Sequence, residues 1–226
     1  MRAKLMLWGS AAALALTSTA ALANVVVVKS LGPSAKAYPP GKTLPESAKI
    51  TLGAGDVVTL LGTGSAQTLR GPGNFAAGQA TLASAASKRG RFGALRAAEV
   101  AQNPSIWDID ASQSGKMCVT DASKLQLWRP DRETETTVQI RSSDGKSETL
   151  TWAAGKALAP WPAKLPVTDG VEYQVVWPGG DEASKLDLVT VNPPPGDLVL
   201  AAQVLIDKGC QNQLELLVDS ASTVGK

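Results

Sequence analysis

From Val25 onward most of this chain is written in short apolar runs closed by glycine or proline. That rhythm favours strands over long helices. Val25 to Val28 is a β-branched run and reads as a strand. "SLGPSAKAYPPGKTLP" follows and, being rich in Pro and Gly, reads as a loop. "AKITLGAGDVVTLLGTGSAQTLRGPGNF" then alternates apolar runs with Gly-containing turns. It predicts strands near 48–52, 56–61 and 66–70, and its Gly-Ala-Gly and Gly-Thr-Gly-Ser breaks suit tight hairpins. Residues 24–75 therefore read as a small all-β unit, presenting loops 32–45 and 71–75.

From Ser105 the same pattern returns. "MCVTD", "KLQLWRP", "VEYQVVW" and "LDLVTV" read as strands. "TTVQIRSSDGKSETLTW" reads as a hairpin, alternating on both sides of Ser143-Asp144-Gly145-Lys146. Several short strands separated by turns predict an immunoglobulin-like β-sandwich over 105–192, with Trp128 and Trp152 in its core. Four of the six tryptophans lie between Trp107 and Trp161, whereas residues 25–75 hold only Tyr38 and Phe75 as aromatics. That asymmetry predicts two units with different cores.

Residues 193–226 read as two short helices packed on the sandwich. Asp197 is the expected N-cap of the first. Leu198, Ala201, Ala202, Leu205 and Ile206 recur at helical spacing, and Gly209 supplies the stop. In the second helix Leu214, Leu217 and Val218 would face inward. The fold class expected is thus mainly β, with two β units and two C-terminal helices.

Between the β units, residues 76–104 are Ala-rich and basic. They read as a linker or as a helix broken at Gly90 and Gly93. Lys88, Arg89, Arg91 and Arg96 are the residues there that could dock a partner or peptidoglycan.

The first 23 residues point to export. Arg2 and Lys4 precede an uncharged, mostly apolar run from Leu5, which ends in Ala21-Leu22-Ala23, the small-x-small pattern of a signal peptidase site. Cleavage between Ala23 and Asn24 removes two of the 22 basic residues and leaves 20 against 20 acidic ones. A formally neutral chain is not expected to bind nucleic acid, which selects for basic excess. No later segment reads as a transmembrane span. Cys118 and Cys210 are the only cysteines, and an even count in an exported chain reads as one disulfide.

Several motifs resemble chemistry without supporting it. "AYPPGKT" ends as a phosphate-binding loop ends. The loop's first glycine would fall at Lys36, and Pro39 and Pro40 carry no N–H for a phosphate, so Gly41-Lys42-Thr43 reads as a turn. "GPGNFA" fits a loose dinucleotide fingerprint, but no βαβ pattern surrounds it. The chain holds no histidine, which removes Ser-His-Asp and Cys-His catalysis. Ser143 and Lys146 have Ser-x-x-Lys spacing but sit in an expected hairpin turn rather than at a helix start. The carboxylates Asp108, Asp110, Glu172, Asp181 and Glu182 are the candidates for acid–base hydrolysis. Asp108 and Asp110 would share one face of a strand.

The stretch "VVVVKSLGPSAKAYPPGKTLPESAKITLGAGDVVTLLGTGSAQTLRGPGNF" carries a first strand, glycines at Gly32 and Gly41, a Leu-x-x-Gly-Asp turn at Leu52–Asp56, a Gly-rich hairpin and a closing "LRGPG". In these features residues 25–75 resemble the FecR-like β-domain of bacterial envelope proteins. The resemblance implies a periplasmic module that acts through protein contacts. Residues Trp107–Leu217, with "LWRP", "APWPAKLP" and "IDKGCQNQLELL", look like exported proteins of α-proteobacteria, a likeness that implies no activity.

The sequence therefore predicts a periplasmic binding or scaffolding protein without a cofactor. An envelope hydrolase using carboxylates and a small-ligand carrier are the alternatives.

Overall fold

The computed structural model describes residues 24–78, 103–179, 183–191 and 198–223. The expected leader with Ala23, the basic residues Lys88, Arg89, Arg91 and Arg96, the acidic pair Asp181 and Glu182, and the expected cap Asp197 lie outside them. The described chain is mainly β, with several sheets and two C-terminal helices.

The first unit holds β1 (Asn24–Leu31), a 3₁₀ turn (Pro33–Lys36), β2 (Thr43–Pro45), β3 (Lys49–Leu52), β4 (Val57–Leu61), β5 (Ala66–Arg70) and β6 (Gly73–Ala76). An antiparallel sheet runs β2-β1-β4-β5, and a second pairs β3 with β6. β2 and β6 correct the reading of 30–45 and 71–75 as loops. Short polar or Gly-containing stretches become strands here because a neighbouring edge accepts their backbone bonds.

β1 explains its own valine run. Side chains alternate across a strand. Val25 and Val27 join the core with Ile50, Leu52, Val58 and Leu60, whereas Val26 and Val28 enter a second core on the other face. All four are buried. A strand covered on both faces reads as continuous apolar sequence.

The second unit holds β7 (Ile109–Asp110), β8 (Gly115–Val119), a 3₁₀ turn (Ala122–Lys124), β9 (Gln126–Trp128), β10 (Thr136–Ser142), β11 (Ser147–Trp152), β12 (Leu158–Pro160), β13 (Glu172–Val176) and β14 (Ala183–Thr190). Its sheets run β11-β10-β13-β14-β8 and β12-β9-β7. Residues from both enclose one core, including Leu127, Ile140, Trp152, Tyr173 and Leu188. Trp128 and Trp152 are buried as expected. Trp161 joins them, its ring edge-on to Tyr173 at 5.2 Å. The β10–β11 hairpin pairs Thr136 with Trp152 through Arg141 with Ser147 in unbroken register. β14 pairs with β8 in parallel, as β7 does with β9.

The helices are α1 (Leu198–Lys208) and α2 (Gln211–Thr223). Gly209, at φ +77°, makes the turn between them, a backbone shape that glycine takes without a Cβ penalty. The helices were expected on the sandwich, and α2 does contact β8. They also cover the outer face of the first unit. Val26, Val28 and Leu61 share a core with Ala202, Leu205, Leu214 and Leu217, and with Cys118 and Val191 of the second unit. α1 and α2 are thus a middle layer between two β units. The exposed face of β1 is the physical reason: left uncovered, Val26 and Val28 would each forgo about 1.5 to 3 kcal/mol of burial.

Cys118 on β8 and Cys210 at the start of α2 form a disulfide, with Cα atoms 5.8 Å apart and both residues fully buried. It staples the helical layer to the second unit, as the two-cysteine count predicts.

Candidate functional site

The loops expected to present a binding surface on the first unit are tied down. The buried Asp56 carboxylate accepts bonds from Ser34 N, Ser34 Oγ and Gly53 N. Those donors, Ser34 first, hold its pKa below the ordinary 3.8. Gly41 N donates to Val27 O, and Lys42 Nζ donates to Ala37 O while lying over the Tyr38 ring. Thr43 Oγ1 accepts from Gln203 Nε2 of α1. Gly41 and Lys42 close a turn that leads into β2 at Thr43, and these groups are used within the fold. "GPGNFA" likewise runs into β6, and Gly71 lies so close to the Gly53 carbonyl that no Cβ fits.

The Ser143/Lys146 pair sits in the β10–β11 turn. Lys146 Nζ donates to Asp144 Oδ2 at 2.7 Å, and Ser142 Oγ also bonds Asp144. Together they lower the Asp144 pKa to about 2. A lysine held as an ammonium by a carboxylate is no general base.

The expected carboxylates separate. Asp108 and Asp110 line one cleft of about 280 Å³ between the second unit and α2, together with Glu215 and Asp219. Burial raises the Asp108 pKa above 3.8. Asp110 Oδ1 accepts from Ser112 N and Oγ, which fixes the turn after β7. Glu172 is exposed on β13 and accepts from Gln174 Nε2, outside that cleft. Among the described residues no group of three or more His, Cys, Asp and Glu is placed to hold a metal ion.

A groove of about 740 Å³ lies at one end of the second unit. Sequence reasoning missed it. Arg129 follows β9, and its backbone N–H donates to Ala157 O, which carries its side chain inward beside the core. Only 2% of Arg129 is exposed. Its guanidinium lies 5.5 Å from the Trp152 ring, which stacks on Trp177 at 5.7 Å with planes 2° apart. Trp177, half-buried, forms a wall of the groove, and hydroxyls of Ser112, Ser114, Thr136 and Ser184 line it. A fixed cation, hydroxyls and an indole can together hold an anionic group and the apolar body attached to it. The only sequence signal was "LWRP", an arginine placed directly after a core tryptophan.

No family model matches this chain, and neither the curated proteins nor the solved structures gave a match. Among the described residues no helix is long and apolar enough to cross a membrane.

Proposed function

We propose that this protein is an exported, periplasmic binding module of the cell envelope that acts through protein contacts. The observation that carries this reading is the Arg129–Trp177 groove, an open polar and aromatic surface on a clamped scaffold. The buried Cys118–Cys210 disulfide supports export, because such bonds persist in oxidising compartments. The resemblance of residues 25–75 to FecR-like domains supports the periplasm and a protein partner. In-cell crosslinking of the mature protein, followed by mass spectrometry, tests the reading. A reproducible protein partner with crosslinks near the groove is the expected result. Capture of glycan fragments alone would overturn it.

The second reading is a carboxylate hydrolase of the envelope. Asp108 favours it, as an acid whose pKa is raised by burial beside Asp110 in one cleft. A peptidoglycan zymogram comparing wild type with Asp108→Asn decides it. Clearing that the substitution abolishes would replace the first reading.

A further inference from the structure

The groove holds a charge that the described fold does not neutralise. A guanidinium carries five N–H donors and keeps its charge at any pH a folded protein meets. In Arg129, Nε donates to Lys156 O at 3.1 Å, and Nη2 donates to Thr134 O at 2.7 Å and Ala153 O at 3.2 Å. Nη1 donates to Thr136 Oγ1 at 2.6 Å. Four donors are thus used, all on uncharged acceptors. No carboxylate among the described residues forms an ion pair with this side chain. The fifth donor is on Nη1, on the side of Thr136, and both residues line the groove.

A buried cation without a counter-charge is unfavourable, and an arriving anion relieves it. The three carbonyls and the Trp152 ring hold the guanidinium in place beforehand, so little freedom is lost on binding. The groove is also far larger than a lone carboxylate fills, since a water takes about 30 Å³. Trp177 offers an apolar wall to whatever is attached to the anion.

We propose that this groove binds a carboxylate-bearing peptide, with the carboxylate on the unpaired Nη1–H of Arg129 and the chain against Trp177. This rests on the reading of the protein as a protein-contact module. Ser114 and Ser184, whose hydroxyl oxygens accept from Lys185 N and Trp177 Nε1, supply further hydroxyl donors, whereas the Ser112 hydroxyl is spent on Asp110. Asp131, exposed at the rim with Oδ1 accepting from Glu133 N, opposes an anion and sets the sign of one test.

The experiment is a titration of the isotope-labelled mature protein, followed by NMR. The probes are N-acetyl-trialanine with a free carboxylate, its C-terminal amide, and inorganic phosphate. The free acid is expected to shift the Arg129 Nε–H and Trp177 Nε1–H resonances, with the amide at least about tenfold weaker. Asp131→Asn, an exposed change, is expected to tighten the acid about two- to threefold. Equal binding of acid and amide, shifts confined to other residues, or weaker binding by Asp131→Asn would each overturn the proposal. Phosphate binding as well as the acid would overturn the peptide assignment in favour of a free oxyanion. If crosslinking captures a protein partner while acid and amide bind alike, the binding role stands and this ligand class falls.

Discussion

Gln213 pairs with Cys118 as a neighbouring strand would. Its Oε1 accepts from Cys118 N at 2.5 Å, and its Nε2 donates to Cys118 O at 2.9 Å. The same Nε2 donates to Ile106 O. β8 is an edge strand, and unpaired edges are templates for unwanted pairing. One glutamine on α2 closes that edge at its centre, at 3% exposure.

Gln213→Leu is therefore expected to destabilise the protein by about 2 to 4 kcal/mol, because it leaves two backbone groups of one buried residue unsatisfied. Gln213→Glu can still accept from Cys118 N but cannot donate to Cys118 O, and should also destabilise. Urea unfolding measures both. A Leu variant as stable as wild type would show that the pairing contributes nothing.

The disulfide spans 92 residues. Cross-linking a loop of that length stabilises by roughly 4 to 5 kcal/mol in the chain-entropy view, less where the reduced chain keeps structure. The double change Cys118→Ser, Cys210→Ser should lower the unfolding midpoint, and reductant should lower the wild type to match. An unmoved midpoint in both cases refutes the staple. Reductant should leave the double variant unchanged.

Two glycines separate steric crowding from backbone conformation. Gly145 sits at φ +92° in open space, so Gly145→Ala should cost about 1 kcal/mol of left-handed strain. Gly71 packs against the Gly53 carbonyl, where a methyl group overlaps backbone. Gly71→Ala should cost several times more, since backbone must shift to admit it. Thermal melts of the two variants rank them, and a reversed order would disprove the close approach.

Asp56 makes stability depend on acid. Its folded pKa lies below the ordinary 3.8, mainly through Ser34. Its contribution is therefore fully present above about pH 4 and is lost as the pH falls through the lowered folded value. Asp56→Asn should be clearly less stable than wild type at neutral pH, with the gap narrowing below about pH 4. Urea midpoints at neutral pH and near pH 3 give the comparison. A constant gap would mean that the charge is not what matters.

Much of this molecule follows from local sequence. The alternation around Ser143–Lys146 dictates the β10–β11 hairpin because side-chain period and turn chemistry act within a few residues. Gly209 stops α1 for the same kind of reason, and a lone cysteine pair has one partner choice. The Pro-Pro-Gly-Lys-Thr stretch is no phosphate loop because two prolines lack the donors that a phosphate needs, and it turns the chain into β2. Other features rest on contacts that no local window contains. "VVVV" announces burial on two faces but not that α1 and α2, far along the chain, cover the second. β14 meets β8 in parallel only after the chain has passed through β13 and the rest of the sheet. Arg129 in "LWRP" looks like a surface arginine, and its acceptors arrive from Thr134, Ala153 and Lys156. Gln213 finds Cys118 across 95 residues. Propensity and patterning decide which segments are strands and which are helices. The tertiary structure alone decides which buried polar group meets which partner, because desolvation is severe only after packing has removed the water that would otherwise serve any of them.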